Sequence, residues 1–562
     1  MKVKHIILAL SSVITLISCS YLDYDETDGL DTRENVYYYF DRTKKMMTHI
    51  YTYMPQDFGT ISGAMRDCAS DDAEYGSTGG SVQDMTNDNW SAIKTPDSSW
   101  ELYEGIRAAN EFLQSLKDAD FSRYEYDINY NNWMKQLACF PYEARILRAY
   151  YFFELARRYK DIAMPLTLLT TEEANTIKKT SFEEVIRFIV TECEEATRNL
   201  PATYIGQPYN ETGRITKGFA MALKSKALLY AASKLYNPSG SKDKWKISAN
   251  AAYEIIKLNQ YRLDPKDKTT NLSSPEIILL RMNGNDATFE RYNFPIRFTE
   301  GTRSIPATAT FPSQNLVDAF QTINGYPVIL NENGWECEDP AFDPQKPYDN
   351  RDPRFKRTVL ANGMAFKNSK IELYKGGADY IPVSEGGSPT GYFLRKHIQE
   401  TTNFEPDKEV INKHHWIIYR YAETLLTYAE SMIMAFNDPK YIEEPNLPMS
   451  AEWALNEVRK NAGMPVISIS DPEAFMKAVQ NEWRVEFAFE DHRFWDVRRW
   501  EIAQETQKEL NGISIESTQN GTLVYQRTLY KSRKWNQNMY LYPIPQSELL
   551  KNQNLYPQNP GW

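Results

Sequence analysis

Two irregular stretches of the sequence hold aromatic side chains beside carboxylates, amides and guanidinium groups. The first is RDCASDDAEYGSTGGSVQDMTNDNW, residues 66–90, and the second is NGNDATFERYNFPIRFTEGTR, residues 283–303. Aromatic faces stack on the C–H surfaces of sugars while planar polar groups bind the hydroxyls, so this mixture is typical of sugar binding. The candidate contact residues are Trp90, Asn89, Asn87, Asp72, Asp71, Arg66, Tyr75, Tyr292, Phe289, Phe294 and Arg303.

Within the first stretch, Gly76, Gly79 and Gly80 would let the backbone approach a ligand closely. We rank Trp90 first among the candidates, because its ring offers the largest stacking face. For each candidate the alternative is packing within the loop.

Sites of catalysis or metal binding are not indicated. GRITKG (213–218) resembles a phosphate-binding loop, but Phe219 stands where that motif needs lysine. The acidic residues from Asp23 to Glu34 approximate an EF-hand loop, but its glycine falls one place late. H-E-x-x-H and G-x-S-x-G are absent, and 75 Asp and Glu residues make carboxylate pairs uninformative. We therefore predict no catalytic residues, metal ligands or cofactor, and leave a structural Ca²⁺ open.

Composition excludes some partners. The net charge is −11 and no basic stripe is visible, so nucleic acid is not expected to bind. Aromatic residues make up 13% of the chain, with 37 Tyr and 12 Trp, which is compatible with a binding surface or with a large core. The cysteines after the N-terminal region are scattered without metal-binding spacing, and we expect buried free thiols at Cys68, Cys139, Cys193 and Cys337.

The N-terminus has the pattern of an export signal. Lys2 and Lys4 precede an apolar stretch, Ile6–Ile17, that is too short for a membrane span. The tetrad LISC, ending at Cys19, matches a bacterial lipobox, in which the cysteine is acylated and becomes the first residue. We therefore predict a signal peptide over 1–18, lipidation at Cys19, typically with palmitate, and an acidic tether over 19–35. No later stretch is apolar enough to span a membrane.

Helical periodicity dominates the remainder. The predicted helices are 36–54, 98–117, 141–159, 181–199, 217–236, 246–259, 417–435, 450–461 and 473–503. Pro141 is placed at a first helical position, and Ser181 with Glu184 forms a capping box. Amphipathic helices joined by short links predict a stack of helical hairpins. Long irregular stretches lie between them, and such stretches are functional or contain small strands.

The helix EWRVEFAFEDHRFWDVRRW (482–500) alternates acidic and basic residues. Residues of opposite charge that lie three or four positions apart can form salt bridges. The aromatic residues would pack inward; they are Trp483, Phe487, Phe494 and Trp500. We interpret this segment as scaffold rather than as a catalytic or binding site.

Three segments carry a family resemblance. They are EARILRAYYFFELARRYKDIAMPL (143–166), residues 482–500 and the C-terminal YLYPIPQSELLKNQNLYPQNPGW (540–562). Together they closely resemble the SusD/RagB family of outer-membrane nutrient-binding lipoproteins of Bacteroidota. Further support comes from GRITKG, YRYAETLLTYAES (419–431) and ALNEVRKNAGMP (454–465). The turn KDIAMP (160–165) departs locally from the family pattern.

The resemblance implies a mainly α fold of stacked TPR-like hairpins with long irregular loops and a few short strands. It implies one SusD-like domain over 36–562, with ligand-facing loops near 56–97 and 265–412. The function implied is oligosaccharide capture at the cell surface, without catalysis. The chain would be lipid-anchored in the outer membrane and would act as the lid of a SusC-like TonB-dependent transporter.

Two other functions remain open from the sequence. The same lid could bind oligopeptides, as in the RagB branch, because peptide capture relies on backbone hydrogen bonds more than on stacking aromatics. A surface glycoside hydrolase is the third alternative, and no motif supports it.

Overall fold

The computed structural model describes residues 33–301 and 309–562. The predicted signal peptide, Cys19 and most of the predicted tether lie outside the described residues, as does Arg303. No helix among the described residues has both the length and the apolar character needed to cross a membrane.

The structure is mainly helical, as predicted. Within the described residues the helices are α1 (Arg33–Tyr38), α2 (Phe40–Tyr51), α3 (Leu102–Ser115), α4 (Tyr130–Tyr159), α5 (Thr171–Ala174), α6 (Phe182–Asn199), α7 (Lys217–Ala232), α8 (Lys242–Leu258), α9 (Thr288–Asn293), α10 (Gln314–Ala319), α11 (Phe355–Thr358), α12 (Tyr421–Phe436), α13 (Ala451–Asn461), α14 (Pro472–Glu486), α15 (Arg493–Arg499), α16 (Ala503–Thr506) and α17 (Gln546–Lys551).

The long helices pack against one another in succession. α3 packs on α4, α4 on α6, α6 on α7, α7 on α8, α8 on α12, and α12 on α13. The predicted capping box starts α6: the Ser181 hydroxyl accepts a hydrogen bond from the Glu184 amide, and the Glu184 carboxylate accepts one from the Ser181 amide. Alanine-rich faces on α7 and α8 let these helices approach closely. The predicted stack of amphipathic helices is therefore present.

The strands form seven two-stranded antiparallel ladders within the described residues. They are β1 (Ala73–Tyr75), β2 (Ile162–Ala163), β3 (Lys179–Thr180), β4 (Ile277–Asp286), β5 (Thr310–Pro312), β6 (Ile329–Asn331), β7 (Gly334–Glu336), β8 (Val359–Leu360), β9 (Ala365–Phe366), β10 (Ser369–Lys370), β11 (Phe393–Leu394), β12 (Asn412–Arg420), β13 (Glu509–Ser517) and β14 (Leu523–Ser532). The longest ladders pair β4 with β12 and β13 with β14. Most of the strands therefore lie in the long stretches between the predicted helices, for which the sequence predicts no helix.

The segment 482–500, which the sequence indicated as scaffold, is largely buried. Trp483, Phe487 and Phe494 are almost fully buried. Arg499 donates to Asp496 at 2.7 Å. Burial would lower the pKa of Arg499, but neighbouring carboxylates including Asp496 raise it well above its usual range. Buried charges persist only when they are paired in this way, so the sign alternation in the sequence matches a folded network.

Several predicted helix boundaries were wrong: the predicted helix 417–435, for example, begins at Tyr421, because 412–420 form β12. Two others have an identifiable cause. Pro141 lies inside α4, eleven residues after the helix begins at Tyr130. The predicted helix 473–503 is interrupted at residues 487–492, where Phe489 and Asp491 have φ of 57° and 60°. This turn lets the Asp491 carboxylate bind arginines on other elements, so tertiary ion pairing outweighs helical propensity here.

Candidate functional site

The two polar, aromatic stretches of the sequence come together beside a short ladder, whose β5 strand lies just after the second stretch and donates from the Thr310 amide to Asn293 Oδ1 at 3.0 Å. β1 pairs antiparallel with β5, with Tyr75 opposite Thr310, and the Gly76 amide donates to the Ala309 carbonyl at 2.9 Å. β5 follows α9, which carries Tyr292, closely along the chain. The surface formed by Ser62, Gly63, Thr78, Gly79 and Tyr292 is called the loop face below.

Tyr75 lies directly beneath the loop face. A Cβ atom on Gly63 would lie 2.8 Å from the Tyr75 hydroxyl, and one on Gly80 would lie 2.9 Å from its ring. Only glycine fits at such distances, so the glycines bring the backbone onto an aromatic ring. Burial raises the pKa of Tyr75, and the Cys68 thiol and the Tyr292 phenol add to the increase. Tyr75 and Tyr292 are therefore brought together, and Tyr292 is 40% exposed.

Asp71 and Asp72 hold this loop to the helical scaffold. Arg493 donates to Asp71 from Nε at 2.8 Å and from Nη2 at 2.9 Å. Arg484 donates to Asp72 from Nε at 2.8 Å and to Asp71 from Nη2 at 2.9 Å. Burial would raise the pKa of Asp71, but the two guanidinium groups lower it below its usual range. Both carboxylates are buried; the two oxygens of Asp71 accept from protein donors, whereas Oδ2 of Asp72 has no hydrogen-bond partner among the described residues.

Arg66 makes a second clamp. Its Nε and Nη2 both donate to Asp97 at 2.9 Å, and its Nη1 donates to Asp491. Burial raises the pKa of Asp57 and Asp67 beside this cluster well above the usual value, although Arg66 opposes the increase. The predicted polar contact residues of 66–72 therefore connect the loop rigidly to α14 and α15.

Trp90 is packed against the C-terminal segment. The side chain is 4% exposed, with its ring 4.7 Å from Tyr542 and 5.3 Å from Trp562 between centroids. The adjacent Asn89 is exposed and Asn87 is half-buried. The two side-chain amides are therefore accessible to solvent, whereas the indole ring of Trp90 is covered by Tyr542 and Trp562.

The two predicted phenylalanines also pack inside. Phe289 lies 5.0 Å from Phe58 and contacts His397 and His414 through ring edges. Phe294 is fully buried beside Phe366, at 5.2 Å between ring centroids. Among the described candidates, only Tyr292 presents an exposed aromatic ring, and ligand contact by all of these residues stays a prediction.

The sequence did not single out Ser62 and Gly63, which border the loop face. The Ser62 hydroxyl donates to the Ser81 hydroxyl at 3.0 Å and its carbonyl accepts from the Tyr75 hydroxyl at 3.4 Å. The signal for this turn was the glycine pair Gly59 and Gly63, both with positive φ.

The described residues contain no group of three or more His, Cys, Asp or Glu side chains placed to hold a metal ion. Cys68, Cys139 and Cys193 are free and buried, as predicted, while free Cys337 is partly exposed rather than buried. Cys337 directly follows β7 of the β6–β7 hairpin.

Sequence comparison identifies the family. Residues 275–562 match the profile of the SusD family, and residues 20–229 match a profile described as starch-binding and associating with the outer membrane. The chain belongs to the SusD family. The recognition made from the three sequence segments is thus confirmed.

Individual SusD relatives match over most of this chain. SusD-like protein P38 of Formosa agariphila is 22% identical over 479 residues, covering 77% of this chain and 78% of the relative. A SusD-like protein of Bacteroides fragilis superposes with a TM-score of 0.76 at 26% identity, covering 94% of this chain and 98% of that one. A laminarin-binding SusD-like protein superposes with a TM-score of 0.59 at 22% identity, covering 93% and 99%. The predicted SusD-like fold is confirmed.

Proposed function

We propose that this SusD-family chain is a cell-surface lipoprotein that captures oligosaccharides at the loop face and acts as the lid of a SusC-like TonB-dependent transporter. The observation that carries the proposal is that the two polar, aromatic stretches come together beside the β1–β5 ladder, where Tyr292 is exposed near the buried Tyr75. Relatives described as carbohydrate-binding and laminarin-binding support the same ligand class.

The loop face suits binding rather than turnover. Asp71 and Asp72 are buried in ion pairs with Arg484 and Arg493 and do not face solvent, so they are poor candidates for a general acid and base. The clamp to the helices fixes the loop backbone before a ligand arrives, which lowers the ordering cost of binding.

Calorimetric titration of the protein, produced without its lipid, against a panel of neutral oligosaccharides tests this function. Tyr292→Ala removes the exposed ring, and we expect it to weaken binding by about 0.5–1.5 kcal/mol, or about 2- to 13-fold in Kd. Tyr126→Ala is the matched control, since Tyr126 is 92% exposed in the loop before α4 and is not one of the residues of the loop face. Equal loss in both variants, or no binding of any oligosaccharide, would contradict the proposal.

Oligopeptides are the second candidate ligand class. One observation favours them: among the described candidate residues only one aromatic ring is exposed, and peptide capture depends mainly on backbone hydrogen bonds. A peptide panel titrated in parallel separates the two classes. If Tyr292→Ala still binds peptides and the protein binds none of the sugars, the ligand class is oligopeptides and not oligosaccharides.

The lipid anchor and the transporter partnership extend the proposal. The family profile described as associating with the outer membrane supports this location. Cys19→Ser should abolish labelling by a palmitate analogue and release the protein from the outer-membrane fraction. Affinity purification of the tagged wild-type protein from membranes should recover a TonB-dependent transporter, and its absence after gentle solubilisation would argue against the lid.

A further inference from the structure

A cavity of about 250 Å³ lies between three elements far from the loop face in sequence. One wall is α3 with the turn before it, the second is the segment 163–177, and the third is α17 with the residues after it. None of the lining residues belongs to the loop face. The cavity is called the α3 cavity below.

Side-chain amides fix the walls of the α3 cavity. Asn110 on α3 donates to the carbonyls of Pro165 and Thr167 at 3.0 and 3.1 Å. Asn552 after α17 donates to the Ile177 carbonyl at 2.8 Å, and the Tyr103 hydroxyl donates to the Ala163 carbonyl at 3.0 Å. The segment is held from both sides, so the cavity is a built feature that needs no ordering before a ligand enters.

One wall is aromatic. The Trp100 ring lies 5.0 Å from Tyr103 and 5.3 Å from Tyr159, and Trp100 and Tyr103 are both partly exposed. Pro165, Leu169, Ile177 and Leu555 add apolar surface to the cavity. A wall of this kind binds the flat face of a ring.

The charges lining the cavity leave one cation available. Lys551 is bonded to Glu548 at 2.8 Å, whereas Arg107 has no ion-pair or hydrogen-bond partner among the described residues. A guanidinium group binds a carboxylate through two parallel hydrogen bonds. The unpaired cation is notable in a chain whose net charge is −11.

We propose that the α3 cavity is a second binding site, which takes a small ring-shaped carboxylate: its ring packs on Trp100 and Tyr103 and its carboxylate pairs with Arg107. The volume lies below the roughly 300–1,000 Å³ of pockets for drug-sized ligands, which suits a ligand of a single ring. A hexuronate and an aromatic acid share this chemistry. The site is independent of glycan capture at the loop face.

Ligand-observed NMR and calorimetry with four probes test the site: glucuronate, benzoate, glucose and benzyl alcohol. We expect at least one acid to bind, and its neutral analogue to bind at least tenfold more weakly. Binding of glucuronate alone assigns a sugar acid and binding of benzoate alone an aromatic acid. Equal binding of an acid and its neutral analogue, or no binding of either acid at millimolar concentration, overturns the proposal.

Two variants locate the binding. Arg107→Gln alters an exposed side chain and should weaken the acid about tenfold, as loss of a charged hydrogen-bond pair implies. Ala174→Phe places a ring at the exposed end of α5, inside the cavity lining, and should block it. Arg187→Gln, on the exposed face of α6, is the matched control and should leave binding unchanged. Acid binding that both cavity variants retain would place the ligand elsewhere and overturn the assignment.

Binding at the loop face and binding in the α3 cavity can be tested separately. Oligosaccharide titration of Arg107→Gln should reproduce the wild-type affinity, because Arg107 lies outside the loop face. Loss of oligosaccharide binding in this variant would contradict the independence of the two sites.

Discussion

Replacing Trp90 separates a packing role from a ligand-stacking role. Trp90 is almost fully buried against Tyr542 and Trp562, so Trp90→Ala removes two edge-to-face ring contacts and leaves a cavity. Truncating a buried Trp to Ala costs about 3–5 kcal/mol in stability. The expected loss is a large part of the stability of a typical domain, about 5–15 kcal/mol.

The indole nitrogen reduces this cost. Trp90 Nε1 is buried and has no hydrogen-bond partner among the described residues. An unsatisfied buried donor costs about 1–3 kcal/mol, so the native ring is less favourable than its contacts alone suggest. We therefore expect Trp90→Ala to cost about 3 kcal/mol, at the lower end of the range, and Trp90→Phe to change stability by less than about 1 kcal/mol.

Urea unfolding followed by circular dichroism measures both variants, with oligosaccharide titration of the folded fraction alongside. Trp90→Phe should retain both stability and binding, while Trp90→Ala should lose stability first. If Trp90→Ala unfolds at the wild-type urea concentration but no longer binds sugar, the ring contacts the ligand and the packing role is wrong.

Two further predictions concern the buried charges. Arg493→Met leaves Asp71 buried with fewer hydrogen-bond donors, so we expect it to lower the free energy of unfolding, measured in urea, by about 3–5 kcal/mol. Removing the exposed Arg198 is the control and should lower it by less than about 1 kcal/mol. Similar losses in the two variants would contradict the clamp. Burial raises the pKa of Asp67 above its usual 3.8, and it raises the pKa of Asp57 in the same way. Between the usual and the raised pKa, these two carboxyl groups are protonated in the folded state and ionised in the unfolded state. Their stabilisation is complete below about pH 4 and is lost as pH rises through the raised pKa. Asp67→Asn should therefore be more stable relative to wild type at pH 8 than at pH 5, and an unchanged difference between the two pH values would contradict the raised pKa.

The helical scaffold could be predicted because its signals are local. Ser181 and Glu184 lie three residues apart and cap α6 as expected. Pro141 was placed at a helix start because proline favours that position, yet α4 runs through it. Residues 139 and 140 on its N-terminal side are buried in the core, and this tertiary packing compensates for the missing backbone donor.

The candidate site could be predicted by region but not by exposure. The composition of 66–90 identified the loop whose strand β1 pairs with β5, while ligand contact by that loop stays a prediction. It could not show that Trp90 packs on Tyr542 and Trp562, more than 450 residues later, or that Arg493 reaches Asp71. Burial of these side chains depends on partners distant in sequence, which local patterning does not encode. Trp100, Tyr103 and Arg107 have helical spacing, but they lie on a different face from the core positions that defined the helix.

Hydrogen–deuterium exchange with the best-binding oligosaccharide tests capture at the loop face most directly. Peptides covering 58–63, 75–81 and 288–301 should gain protection when the sugar is present, and Tyr292→Ala should reduce that protection. Protection confined to other segments, or no protection by any oligosaccharide that binds, would contradict ligand capture at the loop face.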